Sequence, residues 1–119
     1  MSQHEKINYL EYAAFDLAAT KAFFEKVFGW RFTDYGPEYT AFDNQGVEGG
    51  FYHAQLASLT EHGGALTVFY SDDLESTLAK VAANGGIINK PIFDFPGGRR
   101  FHFIEPSGNE FAVWGVAKE

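Results

Sequence analysis

Glu11 and His102 are the candidate proton-transfer groups of this chain, and each stands in an alternating stretch that fixes its neighbours. In residues 7–13 a strand puts Ile7, Tyr9 and Glu11 on one face and Asn8, Leu10 and Tyr12 on the other. A partly buried glutamate at that position has its pKa raised toward neutrality and works as a general acid or base. A strand glutamate at a solvated rim, or one paired with an arginine, does not. In residues 99–105, Phe101 and Phe103 share the helix-facing side, which leaves Arg100, His102 and Ile104 toward a cleft. A cleft imidazole shuttles protons near pH 7 or ligates a metal, whereas one bonded at an edge is structural. His53 and Glu110 could join Glu11 and His102 around a metal ion, but no compact His-x-x-x-His spacing supports that set.

Binding chemistry has its own candidates. Tyr9, Phe42, Tyr70 and Trp114 can form an aromatic surface for a flat or apolar ligand, although aromatic residues in small sheets commonly serve only the core. His53 and Arg100 are the polar groups expected beside them. The run Gly97, Gly98, Arg99, Arg100 offers backbone amides and guanidinium groups to an anion. It lacks the strand, glycine loop and helix order of a phosphate-binding loop, so an arginine meeting a carboxylate at a hairpin is the expected arrangement.

Composition removes several function classes. Cysteine is absent, which excludes disulfides, thiolate catalysis and cysteine metal sites and is compatible with a reducing cytoplasm. Sixteen acidic side chains against nine basic ones give a formal charge of -7, which repels nucleic acid and anionic bilayers. No apolar run approaches the roughly 18 residues of a membrane span. A cytoplasmic protein with no nucleic-acid or membrane partner is expected. With 45% hydrophobic and 18% aromatic residues, thirteen of them Phe, the chain has ample material for a core.

The elements that must position these residues occur twice. Asp16, Leu17, Phe24, Gly29 and Trp30 return 57 positions later as Asp73, Leu74, Val81, Gly86 and Ile87. Asp16 and Asp72 or Asp73 read as helix N-caps, Gly29 and the run Asn84, Gly85, Gly86 as helix ends, and apolar residues recur between them at intervals of three and four. Strands are expected at 30–33, 39–43, 50–56, 65–70, from Ile87 to near Pro91, at 99–105 and at 110–116, with a polar crossover at 58–64. The run Glu105, Pro106, Ser107, Gly108, Asn109 reads as a tight hairpin connection. The chain is thus expected to be one α+β domain over residues 1–119, built from two βαβββ modules at about 6–56 and 65–116. Two sheets are expected to face each other across a shared interior, with helices outside and an apolar cleft between.

The segment Asp16 with Ala22, Phe23, Phe24, Val27, Phe28, Gly29, Trp30, and the tail Gly97, Gly98, Arg99 followed by Glu105 through Trp114, resemble the vicinal oxygen chelate superfamily. This is the glyoxalase, bleomycin-resistance and extradiol-dioxygenase group, and the likeness is strongest to its small branch related to lactoylglutathione lyase. It spans roughly residues 7–115 and implies paired βαβββ modules and a homodimer. The resemblance also implies a divalent metal held by His, Gln or Glu, at positions that fall here on Tyr9, on Gly50 or Phe51, on Leu66 and on Ala112. Leu66 and Ala112 cannot ligate and tyrosine is a weak ligand near neutral pH, so no metal or other cofactor is expected. The expected function is binding of a small, partly apolar molecule. The alternatives are a lyase or isomerase that abstracts a proton next to a carbonyl through Glu11 or His102, and a non-catalytic regulatory subunit.

Overall fold

The computed structural model describes residues 2–118. Its elements run β1 (Tyr9–Ala14), α1 (Leu17–Phe28), β2 (Phe32–Asp34), β3 (Tyr39–Phe42) and β4 (Glu48–His53). A 3-10 turn at Thr60–His62 then leads to β5 (Thr67–Tyr70), α2 (Leu74–Ala83), β6 (Ile87–Phe95), β7 (Gly98–Ile104) and β8 (Glu110–Gly115). This is the βαβββ order twice over, and both helices begin where the repeat placed them. Asp16 Oδ1 accepts from the Ala19 amide at 3.0 Å and Asp73 Oδ1 from the Ser76 amide at 3.2 Å, each relieving an otherwise unpaired helix donor. Gly29 ends α1 at φ 70°, a left-handed conformation that glycine adopts without a Cβ clash.

Each module folds into a four-stranded sheet, ordered β1-β4-β3-β2 and β5-β8-β7-β6. The first strand of each is parallel to the last and lies at an edge. β6 continues past Pro91, where a stop was expected. It is an edge strand paired only with β7, so a residue without an N–H is tolerated there, and its register slips between Ile88 and Lys90 and again between Lys90 and Phe93.

The layers differ from the expected order. The shared interior lies on the helix side of both sheets, and α1 sits within it rather than outside. Phe24 of α1 packs against Phe51 of β4 at 5.7 Å between centroids and against Phe111 of β8 at 5.3 Å, so one helix face serves both sheets. Tyr12 bridges them as well, stacking on Phe51 and tilting over Phe111 while its hydroxyl meets Thr67 Oγ1 at 2.7 Å. That bond joins the β1 edge to the β5 edge. The physical cause is the supply of large rings: Phe23, Phe24, Phe51, Phe101, Phe103 and Phe111 are all fully buried in one cluster with Trp30. Among the described residues the opposite faces of both sheets carry no α-helix; on the second sheet the Thr60–His62 turn meets Glu110 there. No helix among the described residues is long and apolar enough to cross a membrane.

Candidate functional site

Two groups of polar side chains stand on the helix-free faces, one on each sheet. On the first sheet, alternation along β1 sends Leu10, Tyr12 and Ala14 toward the core and leaves Tyr9 and Glu11 on the open side. Tyr39, from β3, completes this group: its hydroxyl donates to Glu11 Oε2 at 3.0 Å and lies 2.6 Å from the Tyr9 hydroxyl. Because Tyr39 has spent its single proton on Glu11, Tyr9 is the donor to Tyr39. Burial, together with these two partners, raises the Tyr39 pKa. The tyrosine can cross the sheet because position 50 is glycine; a Cβ there would overlap the Tyr39 hydroxyl and ring.

On the second sheet the group is built along β7 and β8. His102 pairs with Ala112 in register, and its Nδ1 lies 2.7 Å from Glu110 Oε2. Its Nε2 faces Arg100, at 2.9 Å from Nη2 and 3.3 Å from Nε. A guanidinium only donates, so Nε2 must be the acceptor, and the ring proton therefore sits on Nδ1 and is given to Glu110. Glu110 also accepts from the Thr60 amide at 2.9 Å, the Thr60 hydroxyl at 2.8 Å and Asn89 Nδ2 at 3.3 Å. Around Arg100 stand aromatic rings. Phe93 and Phe95 hold its guanidinium carbon at 5.8 and 5.7 Å from their centroids, and Trp114, its cross-strand partner, meets Tyr70 edge-on at 5.0 Å.

The charge state of Glu110 has a consequence for stability. Burial opposes ionisation, yet the hydrogen bonds from His102, Thr60 and Asn89 outweigh it and hold the carboxyl at about 2, against an ordinary 4.5. A lowered folded-state pKa stabilises the protein above the unfolded value, and that stabilisation is lost as pH falls from about 4.5 toward 2. Its size is roughly 3 kcal/mol. Urea midpoints measured from pH 7 to pH 2.5 are therefore expected to fall steeply below pH 4.5 in the native chain and to fall less steeply in Glu110→Gln. Parallel curves would remove Glu110 as the cause.

Several expected site residues lie elsewhere. Phe42 is buried on the core side against Trp30, at 4.2 Å between centroids, so it lines neither open face; the tyrosine three residues before it does. His53 is on the Phe51 side of β4, not the Gly50 side, and at the end of that strand it meets Glu38 at 3.2 Å. Glu11 and His102 occupy different sheets, and no hydrogen bond or ion pair among the described residues joins them. Tyr39, Thr60, Asn89, Phe93 and Phe95 were not singled out from the sequence. For Tyr39 a signal existed in the Gly49–Gly50 pair, since glycines in a strand mark a close approach by something from next door.

A metal does not fit the positions the family would use. Gly50 offers no side chain, and the space over it is filled by Tyr39; Ala112 is fully buried and apolar. His102 and Glu110, the groups able to ligate, spend their atoms on each other and on Arg100, whose cation stands at the imidazole nitrogen a metal would need. No cluster of three His, Asp or Glu side chains suited to a metal occurs among the described residues.

Two hollows accompany these faces. A groove of about 240 Å³ follows the seam between β1 and β5, lined by Leu10, Glu11, Tyr52, Leu56, Ala65 and Thr67 among others. A wider one of about 560 Å³ lies between the N-terminal segment and the β3–β4 turn, lined by Lys6, Asn8, Asn44 and Glu48 among others, next to the Tyr9 end of the first group.

The sequence model of the Glyoxalase/Bleomycin resistance protein/Dioxygenase superfamily matches residues 6–113. Among solved structures, the fold is similar to a glyoxalase-related enzyme from Fulvimarina pelagi, with a TM-score of 0.78, 15% identity, and 93% of this chain and 88% of that one covered. It is also similar to lactoylglutathione lyase from Agrobacterium tumefaciens, with a TM-score of 0.71, 21% identity and 95% of each chain covered. The fosfomycin resistance protein FosX from Listeria monocytogenes gives 0.74 at 16% identity, over 98% of this chain and 96% of that one. At such identities the likeness is one of fold. No curated protein matches the chain. Since the matching model spans nearly all of the paired βαβββ modules, the chain belongs to the Glyoxalase/Bleomycin resistance protein/Dioxygenase superfamily.

Proposed function

We propose that the protein is a cytoplasmic homodimer that binds a small, partly apolar molecule against the helix-free faces of its sheets, without a metal, the second copy closing over those faces. The observation that carries this reading is the exposure of large side chains on the uncovered faces: Tyr9, Tyr52, Val68, Tyr70 and Phe93 all stay accessible there while the helix sides are packed shut. Sheet faces with so much aromatic surface favour association with a flat ligand and with a second apolar face. The seam groove beside Glu11 and Tyr52 supplies concavity.

The two tryptophans make a direct test. Trp30 is buried in the core, and Trp114 stands on the open face of the second sheet. Light scattering is expected to give twice the 13.3 kDa chain mass. Small aromatic molecules are expected to move the Trp114 indole resonance and leave that of Trp30 in place. A monomer whose Trp114 signal ignores a broad aromatic library would overturn the proposal.

Lyase or isomerase chemistry is a second reading, supported by Glu11, a solvent-facing carboxylate that the Tyr39 hydroxyl orients. Deuterium uptake from solvent next to the carbonyl of a bound ligand, lost in Glu11→Gln, is its signature.

A further inference from the structure

We propose that Arg100 makes the open face of the second sheet selective for organic anions, taking a carboxylate on its guanidinium edge while a flat apolar body lies on Trp114, Tyr70 and Phe93. This rests on the binding reading above and narrows its ligand class.

The first observation is an uncompensated charge. Lys21 pairs with Asp34, Arg99 pairs with Glu75, and the unpaired Lys6, Lys26, Arg31, Lys80 and Lys90 are all exposed to water. Arg100 alone among the described residues is a half-buried cation with no carboxylate within ion-pairing distance. In a chain of net charge -7, acids are plentiful, and a half-buried cation without one is left short of the interaction that offsets its desolvation.

The second observation is which donors remain. Nε and Nη2 both address the single nitrogen of His102, and Nη1 and the outer hydrogen of Nη2 have no acceptor among the described residues. Those two nitrogens form the planar edge that receives a carboxylate through two parallel bonds. Glu110 fixes the imidazole as a donor on Nδ1, so Nε2 stays an acceptor and holds the fork in place. The third observation is the wall. Phe93 and Phe95 flank the guanidinium, and Trp114 stands opposite it in register, which gives an aromatic body a surface next to the charge.

The test uses 2-naphthoate and its uncharged amide, 2-naphthamide, titrated into the full chain while the Trp114 indole and Arg100 Nε resonances are followed. Naphthoate is expected to move both signals and to bind at least about tenfold more tightly than the amide. Arg100→Gln is expected to bring the two affinities together by weakening naphthoate alone, and Arg100→Lys, which keeps the charge without the fork, to retain part of the preference. Equal affinities in the native chain, or a preference that survives in Arg100→Gln, overturn the selectivity and leave the binding reading standing. Silence of Trp114 toward both probes removes the binding reading, and the selectivity with it. If Arg100→Gln instead halves the particle mass and the native chain shows no preference, Arg100 serves the contact between copies, and the anion proposal falls.

Discussion

Replacing Phe24 with alanine is expected to lower the free energy of unfolding by about 4 kcal/mol, near the upper end for loss of a buried aromatic ring. Phe24 is fully buried, stacks on Trp30 at 4.5 Å between centroids, and meets Phe23, Phe51 and Phe111 at 5.1, 5.7 and 5.3 Å. These neighbours belong to α1, the loop after it, β4 and β8, so the cavity would open where both sheets converge, and rigid rings on every side cannot collapse to fill it. The repeat supplies an internal control. Val81 holds the equivalent position in α2 and is also fully buried, but its replacement by alanine removes only two methyl groups and is expected to cost roughly 2 kcal/mol. Urea denaturation followed by tryptophan fluorescence measures both. If the two substitutions cost the same, α1 is not the shared centre of the fold.

That asymmetry between two similar helices was beyond the reach of the sequence. The repeat and the two capping aspartates announced where each helix begins, and alternation correctly separated Phe101 and Phe103 from Arg100 and His102. Alternation gives parity, however, and says nothing of which sheet face meets which helix. Here both faces carry aromatic residues: Tyr9, Tyr70 and Trp114 on one side resemble Tyr12, Phe69 and Phe111 on the other. Because large apolar side chains stand on both faces, facing sheets with outer helices and paired sheets over an inner helix read alike.

The same ambiguity governed the site. In β3, Tyr39 and Phe42 have opposite parity, and the one sign favouring the tyrosine, the Gly49–Gly50 pair, acquires meaning only once β3 is known to lie beside β4. His53 had the right chemistry and the wrong parity. Arg100 and His102 were legible as neighbours on one face, because residues two apart in a strand always are. Their link to Glu110 depended on the β7–β8 register, which a five-residue connection between the strands constrains. Thr60, fifty residues from Glu110 in the chain, had no local signal at all.

The connection itself, read from sequence as a hairpin, turns out to lock the modules together, and its disruption is the second large effect expected. Glu105 is almost fully buried; its Oε1 lies 2.7 Å from the Thr20 hydroxyl of α1, and the carboxyl accepts from the Ser107 amide at 3.0 Å and from Asn109 Nδ2 at 2.8 Å. Asn109 in turn donates to the Ala13 carbonyl of β1 at 2.7 Å. Thr20 also lies 2.6 Å from Ser107 Oγ, which reaches the Asp16 carbonyl at 3.1 Å. Three contacts thus link Glu105, Thr20, Ser107 and Asp16 in a row, but the two hydroxyls supply only two protons. A protonated Glu105 supplies the third, and the row then runs in one direction from carboxyl to threonine to serine to carbonyl. Burial, the largest influence on this carboxyl, raises its pKa in the same sense, while the hydrogen bonds that the ionised form would accept from Ser107, Thr20 and Asn109 act against it. A raised folded-state pKa stabilises the protein below the unfolded value, and that contribution is lost as pH rises from about 4.5 through the folded one. Glu105→Ala strands several buried donors and leaves a void, at an expected cost of about 4 kcal/mol. Glu105→Gln can donate to Thr20 and accept from Asn109, as the protonated acid does, so it is expected to lose only about 1–2 kcal/mol, chiefly through the Ser107 amide. Its stability should also fall less than that of the native chain between pH 4.5 and pH 7. A glutamine variant as damaged as the alanine one, with the native pH slope intact, would mean that Glu105 is ionised and that the row is closed some other way.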